Sequence, residues 1–149
     1  MDVLTILKQQ SRPVYTVTKD QTVDDAISLM VAEKVSVLIV TDNEQPVGIF
    51  AERDVLRYYL LNKEGAFTDI KIKNAMTGRL ISAESTDKIT DLITVMIKSD
   101  LEHLPVIEDH QILGLLTLKD LVKFQLASLT DEIHQLKDYI DDLHEAGQD

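Results

Sequence analysis

The chain contains no cysteine and no tryptophan, and only five glycines and three prolines occur among its 149 residues. Without cysteine it has neither a disulfide framework nor a thiolate metal site. So few glycines and prolines argue against a disordered or loop-rich protein. No apolar run is longer than that of Val37 to Val40, far short of the ~20 residues that span a bilayer. Met1 to Gln10 has no apolar region typical of a secretory signal, so we expect a soluble, cytoplasmic protein without a membrane partner.

Basic residues are also scarce, with 15 against 26 acidic residues and a formal charge of −11. The C-terminal stretch from Leu126 to Asp149 holds seven of the acids and a single base. This balance argues against binding to a phosphate backbone, so we expect no nucleic-acid partner. Any anionic ligand must therefore bind at a local basic spot on an acidic protein.

What the chain does contain is an internal repeat. Shifted by 66 positions, Pro13 to Arg57 lies over Arg79 to Lys123 without a gap, and eight of the 45 pairs are identical. The identical pairs are Asp25/Asp91, Ile27/Ile93, Met30/Met96, Leu38/Leu104, Val40/Val106, Gln45/Gln111, Gly48/Gly114 and Asp54/Asp120. A unit of this length that occurs twice is too long and too few for a solenoid, and it indicates two half-domains packed together. Clefts between such halves are common binding places for small ligands.

Each repeat has the pattern of a β-α-β-β-α unit. Apolar residues at i, i+3, i+4, i+7 and i+8 predict the first helix, as in Val23 to Val31 and Ile89 to Ile97. Met30 and Met96 fall on these stripes, where core packing explains them. Short apolar runs around a polar turn predict paired strands at 37–40 and 47–50, and again at 104–107 and 113–116. A further short strand is predicted at 14–17 and at 80–83, and Thr22 with Asp25 predicts a helix cap.

The predicted fold class is therefore mixed α/β, of the α+β kind, with two pseudo-symmetric repeats and a C-terminal helix. We divide the chain into an N-terminal segment with a short helix (1–12), repeat 1 (13–70), repeat 2 (71–125) and an acidic C-terminal helix (126–149). The second helices begin near Glu52 and near Leu118, and residues 62–73 carry the connection between the halves.

One strand-to-helix motif, Gly-h-h-Thr/Ser-x-x-Asp, occurs at the same place in both repeats. It is intact from Gly114 to Asp120, whereas the copy from Gly48 to Asp54 has Ala51 at the hydroxyl position. On this motif, and on the segment that starts His103-Leu104-Pro105-Val106, each repeat resembles a CBS domain. The pair resembles a Bateman module, the tandem CBS unit known for binding adenine nucleotides. The resemblance covers residues 13 to 125.

The chemistry of the motif can be argued without the family. A helix N-terminus presents free N–H groups and a partial positive charge, which suit an anion. A hydroxyl at the cap donates to a phosphate oxygen, and a carboxylate one turn later accepts from ribose hydroxyls. A second interpretation is purely structural, because Thr117 with Asp120 is also a capping-box pattern worth ~1 kcal/mol without ligand. Asp54 is present without a capping hydroxyl, which favours ribose recognition.

The resemblance also implies which residues share a cleft, since each cleft of such a pair draws on both repeats. The first would combine Asp54 with Ile81, His103 and Lys119. The second would combine Asp120 and Thr117 with Tyr15, Val37 and Arg53. Arg53 and Lys119 match the basic residue that the family places just before the motif aspartate. Glu102 does not match a basic position of the family, and its charge would repel phosphate, which favours a monophosphate over a triphosphate.

Metal binding is not expected. Glu102, Glu108, Asp109 and His110 flank a strand and a turn without the spacing of helical metal ligands, so solvated side chains explain them. We expect no required cofactor.

The C-terminal segment carries an apolar stripe at alternating spacings of three and four. Its members are Leu126, Leu129, Ile133, Leu136, Ile140 and Leu143. The segment should form a helix that continues or directly follows the second helix of repeat 2. Two interpretations remain open, since the stripe either docks on its own module or pairs with another chain in a homodimer.

These features predict a regulatory or sensor module that binds an adenosine nucleotide such as AMP, ADP or ATP between its repeats and acts on an unknown protein target. The alternative is a CBS module that binds no ligand and serves dimerisation or protein interaction. An enzyme is not expected, because no nucleophile–base pair or phosphate-binding loop is apparent.

Overall fold

The computed structural model describes residues 2–62, 67–76 and 79–146, with side chains as far as residue 144. Part of the predicted connection (63–66) and the end of the predicted C-terminal helix (147–149) lie outside the described residues. The elements follow in the order α1 (Val3–Gln10), β1 (Thr16–Thr18), α2 (Val23–Glu33), β2 (Val37–Asp42), β3 (Gln45–Ala51), α3 (Glu52–Leu61), α4 (Ile72–Ala75), α5 (Ile89–Lys98), β4 (His103–Glu108), β5 (Gln111–Thr117) and α6 (Leu118–Ala146). The predicted α+β class with two β-α-β-β-α repeats is confirmed.

The two repeats share their strand register. In repeat 1, β1 lies parallel to β2, and β2 pairs antiparallel with β3. In repeat 2, β4 pairs antiparallel with β5. Val40 lies opposite Gly48, and Val106 lies opposite Gly114, which are equivalent positions at the offset of 66. Both hairpins turn through two residues of positive φ, Asn43 and Glu44 in one and Asp109 and His110 in the other, as a two-residue hairpin of type I′ requires.

The short strand predicted at 80–83 is wrong as a regular strand. Only Ala83 forms a parallel bridge, with Val106, through its N–H to Pro105 O (2.8 Å) and its carbonyl to Ile107 N (2.9 Å). The next two amides bond to side chains instead, Glu84 N to the Asp87 carboxylate and Ser85 N to the Glu108 carboxylate. In repeat 1, Ile39 N donates to the Tyr15 carbonyl at 3.0 Å, but the equivalent residue of β4 is Pro105, which has no N–H for the Ile81 carbonyl. Because Ser85 N is also occupied by Glu108, strand pairing is limited to Ala83.

Each repeat has its own apolar core. The buried core of repeat 1 comprises Val17, Val23, Ala26, Met30, Leu38, Val40, Phe50, Ile72 and Ala75. That of repeat 2 comprises Val3, Ile6, Ala83, Ile89, Leu92, Met96, Leu104, Val106, Leu116 and Leu121. The predicted core packing of Met30 and Met96 is thus confirmed. Helix α1 precedes repeat 1 in sequence but contributes two of its residues to the core of repeat 2.

The helix ends follow the predicted capping chemistry where it was assigned. Thr22 Oγ1 accepts from Asp25 N, and the Asp25 carboxylate accepts from Thr22 N, each at 3.1 Å. Helix α6 runs unbroken for 29 residues, so the predicted continuity of the C-terminal helix with repeat 2 is confirmed. From Leu129 to His144 every side chain of α6 is exposed. In the described part of the chain, no helix is both long enough and apolar enough to cross a membrane.

Candidate functional site

The two motif aspartates occupy equivalent places, one turn into the helix that follows the second hairpin strand. Asp54 lies in α3 after β3, and Asp120 lies in α6 after β5. They are the buried charged side chains among the described residues, with relative exposures of 4% and 7%. A buried carboxylate must be paired or hydrogen-bonded, so the partners of each define its environment.

Asp54 is held by its own helix. Its Oδ2 accepts from Ala51 N at 2.8 Å, and its Oδ1 lies 2.9 Å from Arg57 Nη2. Arg57 also donates to the Ala75 carbonyl at 3.3 Å. Alanine has no side-chain oxygen, so the α3 N-terminus has only the carboxylate half of a capping box.

Asp120 is held partly from outside its repeat. Thr117 Oγ1 accepts from Asp120 N at 3.1 Å, and Asp120 Oδ2 accepts from Thr117 N at 3.2 Å, which completes the capping box. Arg12, from the segment after α1, donates to the same Oδ2 at 2.8 Å and to the Leu115 carbonyl at 3.1 Å. Burial acts to raise the pKa of Asp120, but the hydrogen bonds from Arg12 and Thr117 prevail and the pKa is lowered.

A cavity of about 630 Å³ opens beside Asp54 and is lined by both repeats. Its lining comprises Ser36, Val37, Ile49, Ala51, Glu52, Arg53, Asp54, Leu56, Arg57, Arg79, Leu80, Ile81, Ser99, Leu101, Glu102 and His103. Three arginines and a histidine meet three carboxylates around apolar walls. The volume lies in the range of ~300–1,000 Å³ typical of small-molecule sites.

Several predicted residues meet in this cavity. Asp54, Ile81 and His103 line it together, as predicted for the first cleft. Val37 and Arg53, which the resemblance assigns to the second cleft, line it as well. Arg53 bridges the repeats, because its guanidinium donates to the Asp100 carbonyl at 3.3 Å and lies 3.5 Å from the Asp100 carboxylate.

The other predicted residues lie elsewhere. Lys119 is exposed and is not part of the cavity lining. Tyr15 packs against the core of repeat 1, and a hydrogen bond with the Glu33 side chain raises the pKa of its phenol. Thr117 lies at the start of α6 and caps it. The grouping of these residues with Asp120 stays a prediction.

The Asp120 side is covered by the N-terminal helix. A Cβ placed on Gly114 would lie 2.7 Å from Leu7 Cδ2, so α1 packs directly on the motif glycine. Asp120 borders a separate groove of about 1,000 Å³ between α1, the start of α5 and α6.

Three arginines near the aspartates were not predicted from the motif. Arg57 lies three residues after Asp54 and is matched by Lys123 at the offset of 66, a basic pair that the repeat alignment already contains. Arg79 and Arg12 precede the first strand region of each repeat. Arg57 reaches Asp54 by its i,i+3 spacing on α3, whereas no spacing relative to the motif marks Arg12 and Arg79, which the tertiary fold brings to these sites.

His103 lies at the cavity wall opposite Asp54. Burial lowers its pKa, with an opposing contribution from Glu102 and a supporting one from Arg12. The imidazole is therefore held in its neutral form to lower pH than an exposed histidine.

Comparisons with known proteins agree with this architecture. The CBS domain family matches residues 6–61 and 69–127, most of the chain. The chain belongs to the CBS-domain family. Inosine-5′-monophosphate dehydrogenase of Methanocaldococcus jannaschii is 32% identical over 114 residues, which are 75% of this chain and 22% of that protein. The chain thus spans about a fifth of the dehydrogenase.

Solved structures share the fold over nearly their full length. A putative signal-transduction protein with CBS domains from Burkholderia ambifaria is 32% identical, with a TM-score of 0.75 over 85% of this chain and 95% of that one. The CBS domain pair of protein MJ0100, solved with 5′-methylthioadenosine and S-adenosyl-L-methionine, has a TM-score of 0.71 at 22% identity, over 86% and 98% of the two chains. At that identity the likeness concerns the fold alone.

Proposed function

We propose that this CBS pair is a regulatory module that binds an adenosine nucleotide in the cavity beside Asp54. The observation that carries the proposal is the lining of that cavity, which unites a buried carboxylate, three arginines and apolar walls from both repeats. On a protein of formal charge −11, three arginines here balance three carboxylates, so the cavity is less acidic than the chain as a whole and offers cations to an anionic ligand.

Each part of a nucleotide has a matching group. The Asp54 carboxylate lines the cavity and is an acceptor of the kind that ribose hydroxyls need. Arg79, which has no ion-pair partner among the described residues, binds the phosphate. Val37 and Ile81 provide apolar walls for the base.

The acidic residues around the same cavity limit how many phosphates a bound nucleotide carries. Glu102 and Glu52 both line it, and each would repel a long polyphosphate. We therefore expect AMP to bind more tightly than ATP. An ATP affinity well above that for AMP would reject this part of the proposal.

A ligand in this position can transmit a signal because it contacts both repeats. Its effect on their relative arrangement depends on unequal affinity for two arrangements. A related fold, the MJ0100 pair, was solved with two adenosine compounds, which supports this ligand class. We expect no turnover of the nucleotide, and the dehydrogenase relative matches over a fifth of its length only.

The second candidate is a module that binds no nucleotide and serves protein interaction. The observation that favours it is the occupation of both motif aspartates by arginines of the same chain. In that case Arg57 and Arg12 complete the fold, and neither aspartate is available.

Thermal melting with AMP, ADP, ATP, NAD and S-adenosylmethionine separates the candidates. A ligand that binds only the folded protein raises its stability by ~2.7 kcal/mol at a hundredfold excess over the dissociation constant. We expect a shift with at least one compound, lost in Asp54→Ala and in Arg79→Ala. Asp120→Ala is the matched control, because the same residue type is removed at the equivalent position outside this cavity.

No shift with any compound would favour the interaction module. A shift lost in Asp120→Ala and kept in Asp54→Ala would place the ligand in the other cleft.

A further inference from the structure

The last part of α6 has no partner in the described chain. Sixteen consecutive residues, Leu129 to His144, are all exposed. At 1.5 Å per residue this stretch extends about 24 Å. Docking of the stripe on its own module, one of the two interpretations left open by the sequence, is therefore not the arrangement of the described residues.

The exposed stretch carries a regular apolar seam. If Leu126 is position a of a heptad, the a positions are Leu126, Ile133 and Ile140, and the d positions are Leu129, Leu136 and Leu143. Their relative exposures run from 44% to 65%. Val122 occupies the preceding d position and is 36% exposed, so the seam begins on the body of repeat 2. Because an apolar stripe exposed to water is unfavourable, we expect it to be buried against a second apolar surface.

The residue types in the seam specify a second helix of the same kind. Isoleucine at a with leucine at d favours two-stranded, parallel pairing, because each side chain then fits its layer without strain. The second and third heptads follow this rule at both positions. A second copy of this chain supplies an identical seam in register.

The charges on α6 agree with a parallel pair. Four aspartates of the segment lie away from the seam, at heptad positions f, f, b and c: Asp131, Asp138, Asp141 and Asp142. Pairing of two helices along the seam therefore does not bring these carboxylates close to one another. Glu132 falls at g and Lys137 at the following e, positions that meet between helices of a parallel pair. An antiparallel pair brings g to g and e to e, and these two opposite charges would not meet.

We propose that residues 126–143 of α6 pair with the same segment of a second copy in a parallel, in-register, two-stranded coiled coil. This inference is independent of the ligand, since no residue of the seam lines the cavity beside Asp54.

Because the chain has no cysteine, single-cysteine variants of the full chain test the register directly. In Leu136→Cys, a d position faces itself across the two-fold axis, and mild oxidation should convert most of the protein to a disulfide-linked dimer. Asp138→Cys is the control, because an f position points away from the partner. Circular dichroism melts of both variants verify that they are folded.

Cross-linking of Leu136→Cys no stronger than that of Asp138→Cys would overturn the proposal. So would an antiparallel result, in which a mixture of Ile133→Cys and Leu136→Cys chains cross-links faster than either alone.

Solution mass provides a second measurement. Ile133→Asp with Leu136→Asp should weaken self-association of the full chain at least about tenfold in sedimentation equilibrium, a change of 1.4 kcal/mol. Unchanged association would contradict the coiled coil and place the dimer contact elsewhere. The charge exchange Glu132→Lys with Lys137→Glu should restore the association that Lys137→Glu alone weakens, and failure to restore it would contradict the parallel pairing.

Discussion

The two copies of the strand-to-helix motif differ far more in their surroundings than in their backbone. Asp54 borders a cavity shared by both repeats and is paired with Arg57 of its own helix. Asp120 has a complete capping box and a salt bridge to Arg12, and α1 packs over its motif glycine. One copy borders a cavity lined by both repeats, and the other borders a separate groove beside the N-terminal helix.

The shared part of the two sites is structural. In both copies the aspartate accepts from the N–H at the start of its helix, 2.8 Å for Ala51 and 3.2 Å for Thr117. That bond stabilises the helix whether or not a ligand is present. Residues outside the motif decide which arginine pairs with the aspartate and which cavity the aspartate borders, so a duplicated motif by itself does not imply two equivalent binding sites.

Removal of the carboxylate whose arginine partner is more buried should have the largest effect on stability. Asp120→Ala leaves Arg12 without its partner and Thr117 N without its acceptor, and we expect a loss of about 3 kcal/mol in the free energy of unfolding. Asp54→Ala should cost less, about 1–2 kcal/mol, because Arg57 is half exposed to water. Urea unfolding followed by circular dichroism measures both. Equal costs would show that the Arg12 bridge adds nothing.

Removal of Arg12 from the Arg12–Asp120 salt bridge should cost less stability than removal of Asp120, and the cost should depend on pH. Arg12→Gln removes the charge from a side chain that is 31% exposed, and we expect a loss of about 1.5 kcal/mol near neutral pH. Because the folded pKa of Asp120 is lowered, the folded protein binds fewer protons there than the unfolded chain. The contribution is thus complete above the ordinary pKa of 3.8 and is lost as the pH falls through the folded pKa.

Unfolding measured from neutral to strongly acidic pH verifies this linkage. The stability curves of the native chain and Arg12→Gln should converge in acid, since protonated Asp120 no longer attracts the guanidinium. Arg57→Gln is the matched control for loss of a motif-bound arginine. A constant difference between native chain and Arg12→Gln at all pH values would contradict an electrostatic role.

Exchange of the residues that cap α3 and α6 should change the free energy of unfolding by a smaller amount and make the two copies of the motif more alike. Thr117→Ala removes the hydroxyl that accepts from Asp120 N and should cost about 1 kcal/mol. Ala51→Thr adds a hydroxyl where the backbone is already extended, with φ −127° and ψ 168°, and should gain up to about 1 kcal/mol. Equilibrium unfolding of both variants measures the exchange. A loss of stability in Ala51→Thr would show that the cavity wall at residue 51 has no space for the larger side chain.

Local patterns predicted much of the fold. The offset of 66 located both hairpins and both motif aspartates, because register and turn geometry repeat with the sequence. The strand at 80–83 failed because Pro105 of the neighbouring strand has no N–H for the Ile81 carbonyl, and because the Glu108 carboxylate takes the Ser85 amide. Which residues lie opposite a strand depends on the tertiary pairing, which periodicity does not contain.

The site was predicted less completely for the same reason. Asp54, Ile81 and His103, which the resemblance grouped with Lys119, line one cavity, and Lys119 does not line it. Arg12 was missed, because it belongs to a segment outside the repeat and reaches Asp120 across 108 positions of sequence. The packing of α1 on repeat 2, which places Arg12 there, follows from burial of Val3 and Ile6 in a core that only the tertiary structure defines.

The smallest effect should come from His103, which lies between the two motif sites. Burial lowers its folded pKa below 6.5, so protonation is less favourable in the folded protein than in the unfolded chain. Stability should therefore fall as the pH drops below about 6.5, and the fall should end once the folded pKa is passed. His103→Asn removes this titration, and its stability should vary less than that of the native chain between neutral pH and pH ~5, the range in which an ordinary histidine titrates. His134→Asn is the control, since His134 is exposed on α6. If both variants keep the native pH dependence, His103 is not desolvated and the wall of the Asp54 cavity is open to water at that point.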